Sequence, residues 1–129
     1  MAKTALELTP AEQMAYRPNA VIEQRKRVGD RLTEERWQQA QLLARQAARL
    51  LREAFGATRV RLFGSAAQRP RFTTWSDVDL AVWGILPQRF YAAVAAITGI
   101  SADIRVDLVD AEQCSRALRL AIEQDGTEL

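Results

Sequence analysis

Between Arg59 and Trp83 the chain reads RVRLFGSAAQRPRFTTWSDVDLAVW, and this stretch constrains the fold more than any other. Val60 and Leu62 alternate with Arg59 and Arg61, which predicts a strand over 58–63 with one apolar face. Gly64-Ser65 then turns the chain. Ala66-Ala67-Gln68 begins a short helix, Arg69-Pro70-Arg71 breaks it, and 72–76 is a loop. A second strand is predicted over 77–83, with Val78, Leu80 and Val82 on one face and Asp77, Asp79 and Ala81 on the other.

The apolar faces of these strands need a cover. A helix predicted over 33–55 supplies it, capped by Thr33, with Glu34 and Glu35 in its first turn and Gly56 at its end. Trp37, Ala40, Leu43, Ala44, Ala47 and Leu51 recur at helical spacing, joined by Leu50, Ala54 and Phe55. Pro87 opens another helix, whose stripe is read as Phe90, Tyr91, Val94, Ala95 and Ile97 and which ends near Gly99. A third strand is predicted over 104–109. The capping pattern of 110–113 starts a last helix through Ala117, Leu118, Ala121 and Ile122 that stops at Gly126.

Ahead of this core, Thr9-Pro10-Ala11-Glu12 has the form of a capping box and starts a short helix that ends before Pro18. Residues 19–31 form a further charged helix, and their Arg25-Lys26-Arg27 cluster is read as a solvated face. The division expected is an N-terminal helical extension over 1–32 and one compact domain over 33–129, within the size range of a single core.

Composition removes several function classes. The 129 residues contain no histidine, which excludes Ser-His and Cys-His triads, histidine metal ligands and histidine bases. The single cysteine, Cys114, excludes an internal disulfide and a cysteine metal cluster. Lys and Arg number 18 against 16 Asp and Glu, a net charge of +2 that does not call for nucleic-acid binding. No stretch is long and apolar enough to cross a membrane and no signal peptide is visible, so a cytoplasmic location is expected. Catalysis would then rest on carboxylates, hydroxyls, arginine and bound metal.

Alternation places Asp77 and Asp79 on one strand face, about 7 Å apart along the backbone. Metal ions roughly 3.5 to 4 Å apart fit between such groups, and without a cation the two charges would repel. In the third strand Val106 and Leu108 point to the core, which sends Asp107 to the face of Asp77 and Asp79. Asp107 is therefore the third candidate ligand and a candidate proton acceptor, whereas Asp110 points the other way as a helix cap and Asp103 is solvated. Gly64-Ser65 stands where free backbone amides and a helix start favour an anion, with the Ser65 hydroxyl as a further donor. Phosphoryl or nucleotidyl transfer follows from the three parts together.

These segments, Leu62-Phe63-Gly64-Ser65-Ala66-Ala67, Ser76-Asp77-Val78-Asp79-Leu80-Ala81-Val82 and Val106-Asp107-Leu108-Val109-Asp110, resemble the minimal nucleotidyltransferase (MNT) branch of the DNA polymerase β-like nucleotidyltransferases. The resemblance covers residues 50–129. It implies an α/β nucleotidyltransferase fold, a small mixed β-sheet with helices packed on one face. It also implies ATP or another nucleoside triphosphate bound through two Mg²⁺ ions, Gly64 and Ser65 on the β- and γ-phosphates, Asp77 and Asp79 as metal ligands, and Asp107 as ligand and base. The partner it implies is a HEPN-type ribonuclease toxin that accepts AMP on a tyrosine and is silenced.

One position departs from the family. Many relatives carry glycine where this chain has Arg69, and Arg69 and Arg71 are read as solvated loop charges. Two alternatives stand beside protein adenylylation: an antitoxin that neutralises by occlusion alone, and a transferase acting on a small molecule or RNA. The acceptor, the base preference and homo-oligomer formation are left open by the sequence.

Overall fold

The structure is a computed structural model that describes residues 18–129, so the capping box at Thr9 to Glu12 lies outside the described residues. The described residues fall into two units, divided between residues 34 and 35. A single helix, α1 (Pro18–Phe55), replaces the two helices expected on either side of Thr33. Thr33 does not cap. Its Oγ1 donates to the Gly29 carbonyl at 2.8 Å, one turn back, as a threonine inside a helix does. In the first unit, Val21, Ile22, Val28 and Leu32 on this helix are between 42% and 61% exposed.

The second unit holds the sheet. Its strands are β1 (Arg59–Phe63), β2 (Val78–Trp83), β3 (Val106–Asp110) and β4 (Thr127–Glu128), in the order β3-β2-β1-β4. β1 lies antiparallel to β2 and β4, and β2 lies parallel to β3. A parallel pair requires a crossover, and α2 (Pro87–Thr98) supplies it. Val60, Leu62, Val78, Leu80, Val82 and Val106 form the buried strand face. Against them lie Ala40, Leu43, Ala44, Ala47, Ala48 and Leu51 of α1, whose small side chains pack the helix closely onto the sheet.

Several local expectations shift. On α2 the buried residues are Ala93 and Ile97 with Phe90 partly covered, while Tyr91 is 82% exposed, because the residue after Phe90 lies about 100° further round the helix. Asp110 ends β3 and closes a turn, its Oδ1 accepting from the Glu112 amide at 3.0 Å. The last helix, α3 (Arg116–Asp125), is capped by Ser115, whose Oγ accepts from the Leu118 amide at 3.1 Å. Helices cover both sheet faces rather than the one expected: Ile122 of α3 is buried with Ala81 and Ala111, against Phe63, Trp83 and Leu118, on the face opposite the main core, where small Ala81 leaves room for it. β4 follows directly after Gly126, where the sequence pattern predicts no strand. Among the described residues no helix is long and apolar enough to cross a membrane.

Candidate active site

β1 delivers the chain to Gly64 with φ +71°, a conformation that glycine adopts without strain. A Cβ built there would stand 2.6 Å from Oδ2 of Asp79, so the turn backbone lies directly against that carboxylate. The antiparallel register explains the approach, since Phe63 is the partner of Asp79. Residues Gly64–Ala67 form a 3-10 turn whose N-cap, Phe63, offers no side-chain acceptor to its first amides. Gln41 of α1 fixes the turn from behind, its Nε2 donating to the Ala66 carbonyl at 2.7 Å.

The aspartates come from three neighbouring positions. Asp79 of β2 is the register partner of Asp107 of β3, so the two occupy adjacent strands at one level of the same face. Asp77 precedes the first residue of β2. Asp79 is half-buried, and its carboxyl is pushed above the ordinary range by that burial first, then by the negative charges of Asp107 and Asp77, with Arg105 partly offsetting them. Asp107 is engaged: its Oδ1 accepts from Arg105 Nε at 3.0 Å, and the arginine side chain is 73% exposed. A pair so open to water contributes within about 1 kcal/mol.

Among the described residues no three or more acidic, histidine or cysteine side chains are gathered closely enough to hold a metal by themselves. Mg²⁺ is commonly held by one or two carboxylates together with phosphate oxygens and water, and Asp79, crowded by like charges and touching an anion-favouring turn, fits that donor set.

The segment between the turn and β2 is more ordered than a solvated loop. Residues Arg69–Arg71 form a second 3-10 turn, the Arg69 guanidinium stands 5.7 Å from the centre of the Trp37 ring, and Phe72 meets the same indole edge-on at 5.2 Å. Arg69 therefore packs on the helix. Arg71 remains exposed.

Two supporting residues were missed from the sequence. Arg36 donates from Nη1 to the Asp103 carbonyl at 3.2 Å and from Nη2 to the Ser76 carbonyl at 3.4 Å, linking the segments that lead into β3 and β2. Gln41 is the other. Each is a polar residue on an otherwise apolar row of α1, Arg36 with Ala40, Leu43 and Ala47, and Gln41 with Trp37, Ala44 and Ala48. A polar residue on such a row is the signal that would have found them.

No family model and no curated protein matches the chain. Solved structures do, among them two toxin–antitoxin complexes. One is a toxin–antitoxin crystal structure with AMP-PNP, 25% identical, with 66% of this chain and 70% of that chain covered and a TM-score of 0.53. The other is tri-AMPylated Shewanella oneidensis HEPN toxin in complex with MNT antitoxin, 24% identical, with 69% and 70% covered and a TM-score of 0.52. In fold the chain is similar to both, and the second contains an MNT antitoxin, the family that its sequence resembles.

Proposed function

We propose that this chain is an MNT-type antitoxin that transfers AMP from ATP to a tyrosine hydroxyl of a HEPN-type toxin. The observation that carries the reading is the contact of the Gly64 turn with Asp79, whose register partner is Asp107. An anion-favouring turn and carboxylates on two adjacent strands then share one surface. AMP-PNP in one similar structure and AMPylated toxin in the other support the same chemistry.

In this reading the backbone amides at Gly64 and Ser65 and the Ser65 hydroxyl bind the β- and γ-phosphates. Mg²⁺, two ions in this reading, would be held by Asp77, Asp79 and Asp107 together with phosphate oxygens and water, and would supply charge neutralisation on the phosphates. Asp107 releases Arg105 and accepts the proton of the attacking hydroxyl. The hydroxyl oxygen forms a bond to the α-phosphorus as the bond to pyrophosphate breaks, and pyrophosphate leaves with the electron pair. The domain over 33–129 carries this chemistry, in the cytoplasm, and no nucleic acid takes part.

Incubating the purified chain with a HEPN-type toxin, ATP and Mg²⁺ is expected to add adenylyl mass to the toxin, and Asp77→Asn or Asp79→Asn to abolish the adduct. Unimpaired adduct formation by both variants would exclude this site. The Arg105–Asp107 pair favours a second reading, in which the toxin is neutralised by occlusion alone. Neutralisation that survives Asp79→Asn with no adduct on the wild-type toxin would establish it.

A further inference from the structure

Trp75 is 89% exposed, the largest fraction among the exposed large hydrophobic residues described, and it stands two residues before Asp77. Its loop is held at both ends. Phe72 is buried on the Trp37 ring. The Thr73 amide donates to Ser76 Oγ at 2.9 Å, the Ser76 amide returns to the Thr73 carbonyl at 3.1 Å, and the Trp75 amide donates to Thr73 Oγ1 at 3.2 Å. Arg36 Nη2 reaches the Ser76 carbonyl as well. These bonds fix the backbone beside Trp75 while leaving its indole in water.

An exposed indole loses the burial that makes tryptophan favourable, so a loop braced in this way presents a contact residue. A small ligand is bound in concavities that cover most of its surface, and an indole 89% exposed has no facing wall among the described residues. A protein partner can bring the wall. Tryptophan is enriched among the few interface residues that carry most of the binding energy.

We propose that Trp75 is the anchor by which this chain docks its acceptor protein, entering an apolar pocket next to the acceptor hydroxyl. The proposal rests on the reading that the acceptor is a protein, and it deepens that reading by naming the residue that selects it. Trp75 touches no phosphate and moves no proton; it brings the hydroxyl to a site two residues away in the chain.

The test compares wild type, Trp75→Ala and Trp75→Phe, with unchanged thermal unfolding as the control for folding. Affinity for a HEPN-type toxin is measured by calorimetry without nucleotide, affinity for AMP-PNP with Mg²⁺ is measured separately, and adduct formation with ATP is followed over toxin concentration. The expected result is toxin binding about thirtyfold weaker in Trp75→Ala, with KM for toxin raised to match, AMP-PNP affinity unchanged, and partial recovery in Trp75→Phe. Toxin affinity unchanged in Trp75→Ala overturns the proposal, as does a loss confined to AMP-PNP, which would assign the indole to the nucleobase. Wild type that binds toxin but adds nothing to it removes the transfer reading, while weaker binding by Trp75→Ala still upholds the docking role. Wild type that binds no toxin overturns both.

Discussion

Asp79 concentrates the electrostatic cost of the site. Its carboxyl is half-buried, lies beside two further aspartates, and touches the backbone of Gly64, so its ionised form is disfavoured in the folded chain. The sign for stability follows from linkage: a carboxyl whose pKa is raised on folding holds its proton more tightly in the folded state. Stability therefore falls as pH rises from the unfolded-state value through the raised folded value, and the full cost is present above it. Asp79→Asn is expected to raise Tm of the metal-free chain at neutral pH and to lessen that decline, while removing transfer. In thermal unfolding series over pH, the gain should shrink when ATP and Mg²⁺ are added, because a cation offsets the same repulsion. A Tm unchanged by the substitution at neutral pH would contradict the assigned cost. Strand alternation was enough to place Asp107 on the face of Asp79, because side-chain period on a strand is fixed by the pleat, whereas the register that sets the two side by side is not encoded in that period. The engagement of Asp107 by Arg105 is a choice among rotamers, which period does not determine.

The elements that set the site are held from behind by α1, whose structure is only partly legible in its sequence. Its apolar rows were legible, but the expected break before Thr33 was not formed, since a helix already running costs little to continue and no proline or glycine lies between Arg31 and Thr33. Asp110 and Ser115 present the converse case. Both can cap, and Ser115 does so as the residue directly before α3, while the Asp110 carboxylate is taken by the Glu112 amide within a turn. Arg36 is the element-scale link that matters most for geometry, because one guanidinium spans carbonyls ahead of both aspartate-bearing strands. Its Nε is buried without a hydrogen-bond partner, so the hydrogen bonds of the side chain are those of its two terminal nitrogens. Arg36→Ala is expected to cost about 1 to 2 kcal/mol in urea denaturation and to accelerate hydrogen exchange at the Val78 amide, which bonds the Arg105 carbonyl between the two segments. Arg36→Lys should not restore protection, because an ammonium lacks the planar fork. Wild-type exchange in Arg36→Ala would remove Arg36 from the support of the site.

At the scale of the whole chain, the alternation of strands and helices was legible because each long element repeats its own period, whereas β4 was not, since two residues carry no period at all. Packing on the second sheet face was equally hidden: Ala81 is too small to announce a covered position, and only Ile122 above it shows that α3 closes there. The distribution of buried apolar residues also bears on the N-terminal extension. Every residue of the two clusters lies at Trp37 or beyond, while the apolar residues described between 18 and 34 remain largely exposed. A chain starting at Thr33 is therefore expected to lose no core side chain of the described residues and to unfold cooperatively. Its stability should fall by less than about 1 kcal/mol, which for a domain of this size is about 4 to 8 °C in Tm. Circular dichroism on heating measures both the transition and its midpoint, and AMP-PNP titration reports whether the phosphate turn is intact. A broad, non-cooperative transition in the shortened chain would mean that the extension is part of the folding unit, and the boundary at residues 32 and 33 would have to be abandoned.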